Sequence, residues 1–320
     1  MTHLSPRARI LVIVLAVVVL SGAAAGYTFR ASRDRQQASS DSGFTLALPG
    51  LYFRDTAGGR VARRPQGGDS RTAGGPSCER FYAAGGTALC LRRRPGVPPR
   101  AYAVVLDRRL REVRHIALPG IPNRARVSAS GRMLSWTMFA SGDSYATSAF
   151  STRTSILDLR TGYLVKSMEQ IPLTIDGRRH HAPDVNYWGV TFARDDNRFY
   201  ATVSTGGRTY LVEGDMRKWS ARALRGNVEC PSLSPDNTRI AFKKKVSGDP
   251  GRPWRLHVLD VRTLREHPLA ERQSVDDQAA WLDNRTLAYG RGRDIWTVPA
   301  DGSGEPRLLV PGASSPASVS

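Results

Sequence analysis

Lysine, cysteine and histidine are scarce in this 320-residue chain, and several short catalytic signatures are missing altogether. The only lysines are Lys166, Lys218, Lys243, Lys244 and Lys245, yet basic residues number 47 against 28 acidic ones, so arginine carries nearly all of the +19 net charge. No Gly-x-Ser-x-Gly elbow, phosphate-binding loop or dinucleotide fingerprint occurs, which removes the usual sequence marks of α/β hydrolases, nucleotide hydrolases and nicotinamide enzymes. No zinc-ligand spacing, recognition helix or RNA-binding aromatic pattern accompanies the charge, so nucleic acid is not an expected partner. What remains is attraction to other polyanions, or a solvated surface that happens to be rich in arginine.

The three cysteines are Cys78, Cys90 and Cys230. Cys78 and Cys90 flank a turn at Ala83–Gly86 and fall on the two strands of one hairpin, which brings them within disulfide reach in an oxidising compartment. The alternative is three buried thiols, which pack as small apolar groups. Cys230 is left single, with no histidine and asparagine nearby to make it a nucleophile.

One long apolar run exists. Pro6-Arg7-Ala8-Arg9 forms a basic flank (1–9), and Ile10 to Phe29 is uncharged and largely apolar. About 20 apolar helical residues cross a bilayer core, so residues 10–29 are expected to form a transmembrane signal-anchor helix, with Tyr27 and Phe29 at the interface. The rival is a signal peptide cleaved near Ala25, because Ala23-Ala24-Ala25 fits a small-x-small cleavage site. No cysteine follows the run, which excludes a lipoprotein anchor. Either reading exports the rest of the chain. Residues 30–43 have almost no apolar content and read as a flexible linker, so the folded domain is expected to span 44–320.

Within that span one element returns six times: a short apolar strand ending in an acidic residue, then a polar turn. Ala103-Val104-Val105-Leu106-Asp107, Ser155-Ile156-Leu157-Asp158 and Leu256-His257-Val258-Leu259-Asp260 are clear copies. A second element alternates with it, a small-polar stretch, a turn and an alternating strand, clearest from Pro231 to Phe242. Asp, Asn and Gly tolerate the left-handed backbone of a tight hairpin, and apolar residues at every second position fill a sheet face. The spacing is 40 residues from Asp196 to Asp236 and 48 from Asp236 to Asn284. Four strands per unit at that period predict an all-β chain, a six-bladed β-propeller following one N-terminal hydrophobic helix; the alternative is five blades and a partial one. The wider interval before Asp196 predicts an insertion at 170–184. Phe44 to Leu48 and Leu51 to Arg64 are expected to supply three strands of a split blade, and the tail from Pro311 its missing strand.

Ser234-Pro235-Asp236 with Ile240-Ala241-Phe242, then Asp294-Ile295-Trp296 and Asp301-Gly302, resembles the repeat of the TolB-like β-propeller family. The resemblance is densest over Glu229 to Pro311 and weakens back to Leu51. It implies the propeller fold and an exported binding role. Asn237 stands where that repeat has glycine, and no α/β domain precedes the propeller, so the translocation role of TolB is not implied.

Candidate chemistry is thin. His180, His181 and Asp184 form the only His/Asp cluster, inside the expected insertion; adjacent histidines on an extended segment point apart, so no metal is expected there. Tyr187 and Trp188, beside the insertion, are candidates with His180, His181 and Asp184 for a ligand surface. Asp195-Asp196 and Asp276-Asp277 read as turn acids rather than a general acid–base pair. The expected function is a membrane-anchored extracytoplasmic scaffold that binds an envelope protein or an acidic polymer, with no catalysis and no cofactor. The alternative is a propeller hydrolase or lactonase with a metal in the central channel.

Overall fold

A computed structural model describes residues 43–320 except 98–99 and 143–149. The basic flank, the apolar run and residues 30–42 lie outside the described residues. Among those described, no helix is long and apolar enough to cross a membrane.

Six antiparallel sheets follow one another along the chain. Blade 1 holds β1 (Gly50–Asp55), β2 (Arg60–Pro65) and β3 (Thr72–Ser77). Blade 2 holds β4 (Arg80–Ala84), β5 (Thr87–Arg94), β6 (Arg100–Leu106) and β7 (Glu112–Leu118). Blade 3 holds β8 (Ile121–Val127), β9 (Met133–Ser141), β10 (Ser151–Asp158) and β11 (Leu164–Val165). The insertion then contributes β12 (Leu173–Ile175) and β13 (Arg178–His180). Blade 4 holds β14 (Asn186–Phe192), β15 (Arg198–Thr205), β16 (Arg208–Asp215) and β17 (Ser220–Gly226). Blade 5 holds β18 (Glu229–Leu233), β19 (Arg239–Lys245), β20 (Trp254–Asp260) and β21 (Glu266–Pro268). Blade 6 holds β22 (Ala280–Trp281), β23 (Thr286–Arg291), β24 (Asp294–Pro299) and β25 (Arg307–Val310). The last strand, β26 (Ala313–Val319), returns to blade 1 and pairs with β1, Gly50 opposite Val319, giving the order β26-β1-β2-β3. The ring is therefore closed by the chain's tail, as the sequence predicts, and has six blades rather than five.

Two details differ from the sequence reading. Phe44 to Leu48 is not a strand; Leu46 N–H donates to the Arg108 carbonyl of blade 2, and the Tyr52 hydroxyl of blade 1 donates to the Thr45 and Leu48 carbonyls, so residues 45–48 bridge the two blades. The outer strand of that blade is instead Thr72–Ser77, a Thr-Ala-Gly-Gly-Pro-Ser run with no apolar alternation to betray it. The insertion falls where expected. β12 pairs with β17 in parallel and β13 with β12, so the sheet of blade 4 has six strands.

A blade in a ring buries both faces, and the strand period of two divides its apolar residues between its neighbours. In β19, Ile240 and Phe242 join Tyr200 and Leu211 of blade 4, while Ala241 joins Trp281, Leu287 and Tyr289 of blade 6. In β15, Tyr200 turns to blade 5, and Phe199, Ala201 and Val203 turn to Met133 and Ile156 of blade 3. Leu89 and Leu91 of blade 2 pack on Leu134 and Trp136 of blade 3, and Ala288 and Ile295 of blade 6 pack on Leu51 and Phe53 of blade 1. Each leucine, isoleucine, valine, methionine or phenylalanine among these contributes about 1.5–3 kcal/mol on removal from water, and no blade can bury both faces alone.

The turns between first and second strands also touch around the ring. The Ser130 hydroxyl lies 2.9 and 2.7 Å from the two Asp196 carboxylate oxygens, joining blades 3 and 4. Asn237 Oδ1 accepts the Arg194 N–H and Asn284 Oδ1 accepts the Asp236 N–H, joining blades 4, 5 and 6. Asn237 has φ 63°, so it supplies both the left-handed backbone of the glycine it replaces and an acceptor that glycine lacks. Between blades 2 and 3 the backbones meet: a Cβ at Gly85 would stand 2.4 Å from Gly131 N.

Cys78 and Cys90 form a disulfide. Cys78 lies just ahead of β4 and Cys90 within β5, so the bond pins the crossover from blade 1 onto blade 2.

His257 sits on β20 between two neighbouring blades rather than on a solvated face. Its ring packs on Phe242, the residue opposite it in β19. Burial pushes its pKa from 6.5 down to about 4, with Glu266 opposing the shift only in part. Between those two values the unfolded chain binds a proton that the folded chain does not, so stability is full above pH 6.5 and declines as pH falls towards 4. The decline is expected to reach about 3 kcal/mol, from 1.36 kcal/mol per pH unit. Chemical denaturation of wild type and His257→Phe at pH 7 and pH 4.5 checks this; an equal loss in both would assign the acid sensitivity elsewhere.

Candidate functional site

The first strand of each blade lines the axis: β26, β4, β8, β14, β18 and β22. These strands share a direction, and their starting ends gather at the end of the ring where the chain crosses from one blade to the next. Arg80 begins β4, Asn123, Arg124 and Arg126 lie on β8, Glu229 begins β18, and Asp276, Asp277 and Gln278 lie on the crossover into β22. Together with Tyr82 and Ser315, most of them surround a cavity of about 30 Å³, room for about one water, at the mouth of the channel.

Charge here is arranged in two sets. In the first, Lys243 is wholly buried, with Nζ 2.5 Å from Asp276 Oδ1, 3.6 Å from Glu229 Oε2 and 3.6 Å from the centre of the Trp254 ring. Arg124 Nη2 reaches the same Asp276 oxygen at 3.1 Å, and Trp254 Nε1 donates to Glu229 Oε1. The two carboxylates that share Lys243 titrate oppositely. Burial opposes ionisation of Asp276, but Lys243, Arg124 and Arg80 outweigh it and hold the pKa below the usual carboxylate value. At Glu229 burial prevails over Lys243 and Trp254, and the pKa rises. The physical difference is charge: three cations face Asp276, whereas Glu229 has Lys243 alone and the Asp276 carboxylate raises its pKa further.

The second set centres on Arg126, which is 4% exposed. Its guanidinium lies 4.2 Å from the centre of the Tyr82 ring, and Nη2 donates to the Ala279 carbonyl at 3.1 Å. Nε has no hydrogen-bond partner, and among the described residues no carboxylate lies within ion-pair range of Arg126. A buried guanidinium without a counter-charge is costly unless water or an anion meets it. Gln278 closes the cavity behind it, its amide donating to the Val190 and Pro231 carbonyls and so tying the first strands of blades 4 and 5 together. The arrangement is suited to holding an acidic group by charge and by forked N–H donors.

The residues singled out from sequence lie elsewhere. His180 Nε2 is 2.9 Å from Thr205 Oγ1, and the Thr205 hydroxyl donates to Asp184 Oδ1. The Gly206 N–H and that hydroxyl hold the Asp184 pKa below its ordinary value. This trio ties the end of the insertion to the β15–β16 turn. His181 is exposed and makes none of these bonds. Tyr187 and Trp188 are fully buried. Tyr187 fills the core between blades 3 and 4, and Trp188 packs with Phe139, Cys230 and Trp254, so neither ring faces a ligand in solvent. Cys230 is buried too, and burial raises its thiol pKa, the reverse of nucleophile activation. Asp276 and Asp277, read from sequence as turn acids, instead lie at the mouth, and the other mouth residues were missed because they come from separate segments. The one local signal was Arg124-Ala125-Arg126, two arginines at strand spacing on the first strand of a blade.

By sequence the chain matches no family profile and no curated protein. By structure it is similar to TolB from Acinetobacter baumannii, over 89% of this chain and 69% of that one, at a TM-score of 0.59 and 15% identity. A chain of a nidogen/laminin complex aligns over 85% of this chain and 98% of its own, at 0.54 and 12%. A putative TolB from Agrobacterium tumefaciens aligns over 84% and 91%, at 0.48 and 12%. Six blades, closure by the C-terminal strand and the Ser-Pro-Asp repeat together make this chain a TolB-like six-bladed β-propeller in fold.

Proposed function

We propose that the chain is an exported binding propeller, tethered to the membrane by residues 10–29, that engages an acidic group of an envelope partner at the channel mouth and performs no catalysis on it. The observation that carries this reading is Arg126, a buried guanidinium lining an open cavity beside Arg80 and Arg124 with no carboxylate of its own. Charge and hydrogen-bond donors of this kind recognise an anion, whereas general acid–base chemistry needs two titrating groups converging on one bond. The fold by itself favours neither, since propellers serve as scaffolds and as enzymes alike.

The test is binding of a fluorescent tetraglutamate peptide to the full chain in mild detergent, followed by anisotropy. Arg126→Gln keeps the side-chain bulk and removes the charge, and is expected to weaken binding at least tenfold, about 1.4 kcal/mol. Equal affinity of the two proteins, with matching melting temperatures, would sink the reading.

A further inference from the structure

The turns between second and third strands lie at the same end of the ring as the channel mouth; they are long on blades 2 and 5 and two-residue turns on blades 4 and 6. These turns and the strand ends that flank them carry exposed bases on four blades: Arg94 and Arg100 on blade 2, Arg208 on blade 4, Lys245 and Arg252 on blade 5, and Arg293 on blade 6. None of the six has an ion-pair partner among the described residues. Among the described residues of these turns, the exposed acid is Asp249, whose Oδ1 is occupied by the Gly251 N–H. The opposite end is built differently. There the tight turns need acids to accept their own backbone N–H groups, as Asp107, Asp158, Asp195, Asp236 and Asp260 do, so carboxylates are interspersed with the bases.

We infer that these turns form a collar that binds a linear polyanion, a phosphate- or carboxylate-bearing envelope polymer that lies across the free end of the ring with one acidic group in the mouth. The inference rests on the binding reading above and narrows its partner. Bases spread over four blades of a ring cannot all meet one acidic side chain, but a strand with a charge at every repeat meets several at once, and each further contact adds to retention. The ring's first described strand begins, and its last strand ends, at the other end, Gly50 opposite Val319.

The experiment uses the full chain in detergent and poly(glycerol phosphate) of about twenty repeats, with glycerol phosphate monomer as reference. Expected are polymer binding at least a hundredfold tighter than monomer and a slope of log K against log salt of about −4, from six contacts at about 0.7 each. Replacing Arg94, Arg208, Arg252 and Arg293 together by Gln is expected to cost tenfold or more and to flatten that slope by about three. A control with Arg109, Arg160, Arg217 and Arg262 replaced by Gln removes the same charge from the opposite end and should change affinity less than twofold. Equal losses in the two variants would mean diffuse attraction and overturn the collar. Tighter binding to phosphatidylglycerol vesicles than to polymer, abolished by Val97→Asp on the same turn of blade 2, would overturn it in favour of a bilayer. If Arg126→Gln loses tetraglutamate while the collar variant keeps the polymer, the mouth reading stands and this one falls.

Discussion

A chain ending at Gly312 is expected to show no cooperative unfolding transition and to be digested by trypsin under conditions in which the full chain survives. The deletion removes only β26, yet that strand is the innermost member of blade 1. It pairs with β1 from Gly50 opposite Val319 to Asp55 opposite Ala313 and buries Ala313, Ala317 and Val319. Without it the backbone groups of β1 lose their partners, and the core that Leu51 and Phe53 form with Ala288 and Ile295 is opened along one side. An unpaired strand edge beside exposed apolar residues also invites aggregation. The cost should exceed the ~5–15 kcal/mol that stabilises an ordinary domain. A melting temperature within a few degrees of the full chain, read by circular dichroism, would show that blade 1 closes the ring by some other contact.

Glu271→Ala is expected to lower stability by about 3 kcal/mol, the largest effect of any single substitution away from the strands. Glu271 lies on the crossover between blades 5 and 6 and is 1% exposed. Its Oε2 accepts the Tyr289 hydroxyl at 2.7 Å and the Arg291 Nη1–H at 2.6 Å, and its Oε1 accepts the Gln273 N–H. Removing the carboxylate leaves the phenol and the guanidinium facing an apolar wall. Arg291 keeps 23% exposure, so its charge is partly relieved by water, and the cost falls at the low end of the ~3–5 kcal/mol for breaking a buried pair. Replacing all three groups, with Glu271→Leu, Tyr289→Phe and Arg291→Met, should recover much of the loss, because the phenol and guanidinium are then gone and only the Gln273 N–H loses its acceptor. Urea denaturation midpoints of the two variants decide the matter: equal destabilisation in both would mean that packing and not charge holds the crossover.

Architecture was legible in this sequence because every blade repeats the same local chemistry. Asp, Asn and Gly punctuate strands with apolar residues at alternate positions, and a turn such as Ser234 to Thr238 is readable without its neighbours. The shortage of one strand at the front and the surplus at the tail were likewise countable. Thr72–Ser77 was not, since its glycines and proline carry no periodic signal and its pairing with β2 is set by the rest of the blade. Tyr187 and Trp188 misled for a related reason. On a single sheet an aromatic pair beside a loop has an open side, but in a ring both faces of the blade are core. The mouth was the least legible part, because Arg80, Arg126, Lys243 and Asp276 are neighbours only once four blades have closed around an axis.

The contacts between Ser130 and Asp196, Arg194 and Asn237, and Asp236 and Asn284 link the first hairpins of blades 3, 4, 5 and 6 along one rim of the wheel, each leaning on the next. Among the described residues, no such side-chain hydrogen bonds join the turns of the other rim from blade to blade. Foreign sequence grafted at 246–253 would thus perturb only its own blade, whereas a single residue added at 235–237 would shift every hairpin downstream. Loop engineering is therefore better directed to the rim that also surrounds the mouth.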